Sequence, residues 1–498
     1  MGKKILENKL GKKIFAKKIR ARKILRRSIW SAVNSEVARY RIRKREGLER
    51  IGKISTSPLP QFTPDTIRIE SVTAMLIFDT RFNPTIEVNV RMVCGHGLFA
   101  SVPSGAPPGS KLWQEVREAI DFVNTIISPA LKGKDPKQQA VIDKIMVQKL
   151  EEIRNQNGSG TLKFGASAIF AVSLAVCKAA GFIQDLPLYG RIATLAGIKK
   201  LILPVPVWNV INVGSHPENK LSMRELTILP IGASSFEDAI RINWEIYSCL
   251  MDLIWRKYRE IAHKGYEGGF APKIQNVKEG LELLKKAISR LGHTEKVVIG
   301  VDAAASEFYG LDKSYHPNFT GENNGCSQRV SGDALNDFYN TLVNDYSIAS
   351  IEDPFDKDDW ESYSKLTAEI GQKVQILGDE FLVTDPKRIK QAINEKTCNT
   401  LLLKVKHLRS VTETIKAVKM VKQAGWGVIV ASHGSGETDD TFVGQLAVGV
   451  GACQIKAGAS CNSERESIYI ELRAIECIER NVCGDVYAGP AFDTLLPE

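Results

Sequence analysis

From Ile67 the chain alternates apolar and polar positions as a half-buried strand requires. The runs "IRIESVTAMLIF" and "TIEVNVRMV" flank the turn-rich "DTRFNP", a pattern that predicts a β-hairpin. Helical periodicity follows in "WQEVREAIDFVNTII" and in the Ala-rich run from Gly165 to Ala180, completing a small α+β domain that ends near Leu195. Beyond Pro204, short apolar runs alternate with amphipathic segments: "EGLELLKKAISRLG" precedes "VVIGVD", and "PKRIKQAINEK" precedes "TLLLKV". This alternation predicts parallel β/α units. The apolar runs end on Asp302, Glu352, Asp379, Lys404, His433 and Lys456, at steps of 50, 27, 25, 29 and 23 residues. One βα unit fits each step, the first lengthened by the Asn/Gly-rich insertion at 317–325. In a β/α barrel every such strand end opens on one mouth, so six side chains far apart in sequence are expected to converge.

Composition narrows the possibilities. Residues 1–66 hold 19 Lys and Arg against 5 Asp and Glu, leaving 48 against 52 for residues 67–498. The net charge of +10 therefore belongs to an N-terminal extension, and it assigns no nucleic-acid function to the mildly acidic body. Within that extension Ile5, Leu10, Ile14, Ile19, Ile24 and Ile29 recur among basic residues at helical spacing. An organelle transit peptide, a contact with an anionic membrane or RNA partner, and a solvated helix all fit this pattern, although Glu36, Glu46 and Glu49 are unusual in a transit peptide. Pro58, Pro60 and Pro64 mark a linker before the first domain. The nine cysteines form no C-x-x-C pair, which argues against a disulfide framework or a zinc finger and fits a reducing compartment. The longest apolar stretch, Phe164 to Ile183, is interrupted by Ser167, Ser173 and Lys178 and suits a buried helix better than a membrane span. No transmembrane segment is predicted. The division expected is 1–66 (extension and linker), 67–195 (α+β domain) and 196–498 (barrel).

Asp302, Glu352 and Asp379 offer hard oxygen ligands without histidine or thiolate, a donor set that favours Mg²⁺ over zinc. Lys404 and Lys456 stand in apolar strand text, where desolvation and neighbouring cations lower an ammonium pKa towards that of a base. Proton abstraction beside a carboxylate creates a dianionic enolate, and a lysine base with Mg²⁺ meets that requirement. Singly, each acid also reads as a helix N-cap and Lys404 as a snorkelling surface lysine. Jointly, three acids followed by two lysines around one barrel face are hard to obtain from capping alone.

The strings "NPTIEVNV", "VPSGA", "VSLAVCKAAG", "LPVPVWNVIN", "EGGFAP", "SIEDPFDKDDW", "LLLKV", "SHGSGETDDTF" and "QIKAGA" resemble the enolase family, in the family's order from Ile67 to the C-terminus and nearest to the plant type. The resemblance implies an α/β fold with an N-terminal α+β capping domain on a C-terminal β/α barrel. The implied activity is Mg²⁺-dependent, reversible dehydration of 2-phosphoglycerate to phosphoenolpyruvate, in a cytoplasmic homodimer; a plastid or mitochondrial destination is the alternative for the basic arm. It further implies that Asp302, Glu352 and Asp379 ligate Mg²⁺, that Lys404 takes the C2 proton, and that Glu267 and Glu225 act on the departing hydroxyl. Lys456 would meet the substrate carboxylate, His216 and His433 would line the pocket, and Ser435 would bind phosphate. His216 also reads as a structural loop histidine.

Departures from the family pattern cluster at the ligand. Pro107 and Pro108 stand where the first loop has Ser-Thr, and an acidic and Arg-rich segment is missing before Lys111. Gly434 replaces an arginine that would pair with phosphate, Arg224 stands in place of Gln, Tyr266 occupies an acidic position, and the "SHAGG" loop reads "SHPEN" to Asn219. Two functional expectations follow: a working, slower enolase, or a catalytically degenerate member that serves as a scaffold or as a nucleic-acid- or partner-binding protein.

Overall fold

A computed structural model of the chain describes residues 63–105, 111–158, 162–213, 222–259, 263–264, 268–317, 329–432, 438–459, 463–483 and 486–489. All belong to the unit Phe62–Glu498. The basic arm and most of the linker, with the expectations placed there, lie outside the described residues.

The predicted hairpin is present. Strand β1 (Ile69–Phe78) pairs antiparallel with β2 (Pro84–Met92), Phe78 opposite Pro84, and β3 (Gly97–Val102) adds to the far side of β2. The Asp79 carboxylate accepts the backbone N–H groups of Arg81 and Asn83 at 2.8 and 2.9 Å, closing the turn as aspartates do. The apolar face of this sheet packs through β2 and β3, with Ile86, Val88, Val90 and Ala100 buried, on the helix Gly165–Ile183, whose Ala168, Ala171, Ala175 and Ala179 allow close approach. That helix is long and apolar enough to cross a membrane, but 72% of its most apolar window is buried within the protein.

The segment read as a single helix is divided. It runs as an α-helix over Leu112–Phe122, a π-helical turn over Val123–Ile127 and a last α-turn over Ser128–Leu131. Pro129 has no N–H to donate, and the wider turn aims Asn124 and Ser128 at the outer edge of β1. Ala74 N–H donates to Asn124 Oδ1 at 2.7 Å, Asn124 Nδ2 donates to Ala74 O at 3.1 Å, and Val72 N–H donates to Ser128 Oγ at 3.0 Å. Side chains thus satisfy an edge strand that would otherwise invite pairing.

The rest is a curled sheet built from β4 (Val205–Pro206), β5 (Trp208–Asn212), β6 (Glu225–Leu229), β7 (His263–Lys264), β8 (Phe270–Ala271), β9 (Val298–Asp302), β10 (Ile348–Glu352), β11 (Gln375–Gly378), β12 (Thr400–Lys404), β13 (Gly427–Ala431) and β14 (Gln454–Lys456). β9 to β14 run parallel, each to the next, and β14 pairs parallel with β4. Only Val207 separates β4 from β5, and its N–H donates to Ile455 O at 2.9 Å, so the sheet curls back on itself. One expectation needs correction: the units are not all parallel. β6 runs antiparallel to both β5 and β9. The short link between Asn212 and Glu225 suits an antiparallel pair, which needs no crossover helix.

Hydrogen bonds join sheet and barrel. Asp440 Oδ2 accepts from Ser101 N–H at 3.1 Å and from Lys178 Nζ at 2.6 Å. On the other flank, buried Asp143 accepts the Thr412 N–H at 3.0 Å, and Ser173 Oγ accepts the Val411 N–H at 2.9 Å.

Candidate active site

Because β6 is reversed, its first residue, Glu225, rather than its last, reaches the level of the other strands' C-terminal ends. Glu225 pairs in register with Asp302, and Asp302 with Glu352, so three carboxylates stand abreast on neighbouring strands. Asp379 follows directly on β11. On the opposite arc Lys404 is level with Ala431, and Ala431 with Lys456. All six side chains are buried.

The helix-cap alternative for the acids is excluded by which residues do the capping. The helix after β9, Gly332–Asp345, is capped by Ser331, Trp360–Ile370 after β10 by Asp359, and Pro386–Glu395 after β11 by Asp385. The helix Val411–Gln423 after β12 takes its cap from Ser410. Asp302, Glu352 and Asp379 are free of that duty.

They meet the lysines instead. Lys456 Nζ lies 2.6 Å from Glu352 Oε2, 3.2 Å from Asp302 Oδ2 and 3.5 Å from Glu225 Oε2, while Lys404 Nζ bonds Asp379 Oδ2. Asn212 Nδ2 donates to Glu225 Oε1 at 3.4 Å. Burial and the neighbouring Asp302 push the Glu352 carboxyl up to about 8 despite Lys456. Burial also pushes Asp379 up, but the Lys404 ammonium outweighs it and holds the carboxyl below its ordinary value. The lysine expectation is corrected here. Burial lowers Lys404, yet Asp379 more than offsets it, and Lys404 is held as an ammonium above its usual range. Lys456 is raised further, because Glu352, Asp302 and Glu225 overcome the cost of burying it.

Four carboxylates face two ammoniums, an excess of negative charge suited to a dication. Among the described residues Asp379 Oδ1 is buried without a hydrogen-bond partner, an acceptor left open at the mouth. Among the described residues no group of three His, Cys, Asp or Glu side chains stands ready to hold a metal as it is, because the lysines reach in among the acids. The donor set nonetheless fits a hard, oxygen-seeking ion.

The Arg224 guanidinium pairs with Glu307 at 3.2 Å, and the Arg224 backbone N–H donates to Asp302 O at 2.9 Å. Glu267, His216, His433 and Ser435 lie outside the described residues, as do Pro107, Pro108, Asn219, Tyr266 and Gly434.

One positioning residue escaped the sequence reading. Asp353 adopts a left-handed backbone at φ 43°, and its carboxylate accepts the N–H groups of Asp379 and Glu380 at 2.9 Å each. Burial, with Asp379 adding to it, pushes this carboxyl up to about 7. In "SIEDPF" it reads only as a second acid beside Glu352; its task depends on where β11 ends in space.

Two family models match the chain: "Enolase, N-terminal domain" over residues 69–192 and "Enolase, C-terminal TIM barrel domain" over residues 200–494. The chain is 54% identical over 441 residues to "Enolase 2" of Hevea brasiliensis, covering 86% of this chain and 98% of that protein. It is likewise 54% identical over 437 residues to "Enolase" of Solanum lycopersicum, covering 85% and 98%.

Proposed function

Because this chain belongs to the enolase family, we propose that it is a phosphopyruvate hydratase, a lyase of glycolysis and gluconeogenesis that interconverts 2-phosphoglycerate and phosphoenolpyruvate. The observation that carries the reading is the charge arrangement at one barrel mouth, with four acids on one arc and two lysines on the other. The identity with plant enolases across most of the chain favours the working enzyme over the degenerate scaffold.

In this reading Asp302, Glu352 and Asp379 hold Mg²⁺. The ion supplies Lewis-acid stabilisation of the enolate's negative charge. Lys404 takes the C2 proton from the side facing those acids. It must do so as a neutral amine, so its strength as a base depends on how far Asp379's charge is drawn away from it. Lys456 orients the substrate carboxylate. Glu225, level with Asp302, works with Glu267 on the departing hydroxyl, while His216, His433 and Ser435 hold the remainder of the substrate. Gly434 removes a guanidinium from the phosphate end, and the expected result is weaker substrate binding with the chemistry retained.

The reading extends to a cytoplasmic homodimer. A plastid or mitochondrial address, or an anionic partner, is the alternative role for residues 1–66. Light scattering on the purified protein and imaging of a tagged full chain test these points. For the activity, phosphoenolpyruvate absorbance is followed with 2-phosphoglycerate and Mg²⁺, on the full chain and on a form lacking residues 1–66. Turnover is expected in both. Its absence at millimolar substrate in the full chain would eliminate the enzyme, and its loss on truncation alone would refute the proposed division at 66.

A further inference from the structure

Inside the barrel, one layer below the ring of acids and lysines, the lining turns polar where bulky branched side chains usually fill the interior. Thr227, Gly300, Ser350 and Gln375 stand abreast on β6, β9, β10 and β11, each in register with the next. Successive side chains on a strand face opposite ways, so Ser350 and Gln454 share the inner face with Glu352 and Lys456 two positions on, and Thr227 shares it with Glu225. From the opposite arc Gln454 Nε2 donates to Gln375 Oε1 at 2.7 Å. The other halves of the two amides, Gln454 Oε1 and Gln375 Nε2, are buried without a partner among the described residues, and both side chains are closed to solvent. Gly300 adds no side chain to the layer, and a Cβ there would stand 2.4 Å from Thr227 Oγ1. Between this layer and the ring lies a cavity of about 10 Å³, whose polar lining is Thr227, Ser350, Gln454, Asp302, Glu352 and Lys456.

A space of that size admits one water and nothing larger, and a water is kept in a protein interior where roughly two to four polar groups receive it. An amide oxygen buried with no donor bears the full cost of leaving solvent, and Gln454 Oε1 is in that position. Lys456 has a proton to give. Glu352 Oε2 and Asp302 Oδ2 take two at 2.6 and 3.2 Å, whereas its third carboxylate contact, Glu225 Oε2, stands at 3.5 Å, beyond the usual length of a hydrogen bond. We propose that the cavity is the binding site of a single water that accepts from Lys456 and donates to Gln454 Oε1, flanked by the Ser350 and Thr227 hydroxyls, and that Gln454 is thereby a positioning residue for Lys456. Leu377 and Ile429 close the apolar side and offer the water no bond, so the polar side fixes its place. The ammonium's carboxylate partners include two acids whose proposed task is to hold a metal ion. The bond from below is the one for which a metal does not compete, and it keeps Lys456 in place while those acids turn to the ion.

The water does not rest on the proposed reaction; the role given to Gln454 does, through Lys456 and the substrate carboxylate. Crystals of the full-length protein, grown in EDTA and again with Mg²⁺ and 2-phosphoglycerate, test the site at a resolution that places waters. An ordered water within hydrogen-bond distance of both Gln454 Oε1 and Lys456 Nζ is expected in each map. A cavity without density, or one in which Gln375 and Gln454 turn to satisfy each other, overturns the proposal. Gln454→Met holds the volume and removes the acceptor. It should displace the water and raise KM for 2-phosphoglycerate by about three- to tenfold, with kcat changed by less than about twofold. Thr227→Val removes a flanking hydroxyl at matched shape and should move KM in the same direction, which keeps the role testable where Gln454→Met fails to fold. A lower urea midpoint with KM unchanged in both variants would make Gln454 a structural residue only and refute the positioning role. Absence of turnover in the parent would defeat the proposed reaction, and with it that role, while the two maps still decide the water.

Discussion

Removing Lys456 is expected to convert this protein from one that folds without metal to one that leans on it. The ammonium touches Glu352, Asp302 and Glu225 at 2.6, 3.2 and 3.5 Å, in a place almost closed to solvent. At an effective dielectric of about 20, each contact is worth about 5 kcal/mol of attraction before the cost of burying the charges is subtracted. Most of that is consumed by desolvation, but deleting one partner of a buried cluster still costs about 3–5 kcal/mol, because the survivors keep their burial and lose their counter-charge. Lys456→Met holds the volume and removes only the charge. In EDTA its urea midpoint should fall accordingly, and Mg²⁺ should recover more stability in the variant than in the parent, because the lysine no longer competes for the acids. Catalysis should be lost in both conditions if Lys456 orients the substrate. Equal urea midpoints for parent and variant in EDTA, together with equal Mg²⁺ affinity, would refute the claim that this ammonium balances the three carboxylates.

Lys404→Ala should lower kcat by about 10²–10⁴ and abolish exchange of the C2 proton with solvent, with circular dichroism unchanged; surviving exchange would point to another base. Gly434→Arg should lower KM for 2-phosphoglycerate by about tenfold to a hundredfold, read from initial rates, and an unchanged KM would mean that the phosphate is already held elsewhere. Burial, reinforced by Lys406, pushes His407 down to about 4, against roughly 6.5 in the unfolded chain. The unfolded state therefore takes the proton first, so stability present above pH 6.5 is lost as the pH falls towards 4, by about 1–2 kcal/mol after allowing for partial exposure. His407→Gln should flatten that stretch of the stability curve measured by urea unfolding in phosphate-free buffer, and an unaltered slope would assign the pH dependence to other groups.

The amino-acid order alone settled those features that depend on local period and residue chemistry. Alternation marked β1 and β2, the Asp79 turn lay between them, and the apolar runs ending in Asp302, Glu352, Asp379, Lys404 and Lys456 marked strands that now stand around one mouth. Side-chain chemistry at those ends makes a hard divalent ion the expected ligand. What required three dimensions depends on direction and on neighbours distant in the chain. The reversal of β6 put Glu225 level with Asp302, although a single sequence carries no sign for strand direction. The π-helical turn at Val123–Ile127 formed where the edge of β1 needed Asn124 and Ser128. Asp353 became a clamp on the Asp379 backbone because β11 ends beside it. The charge state of Lys404 was likewise a tertiary matter: apolar flanks argue for a weakened ammonium, but a carboxylate brought in from 25 positions earlier in the chain reverses the balance. Burial is written in composition, whereas the partner that decides a buried charge comes from another strand, and only packing selects it.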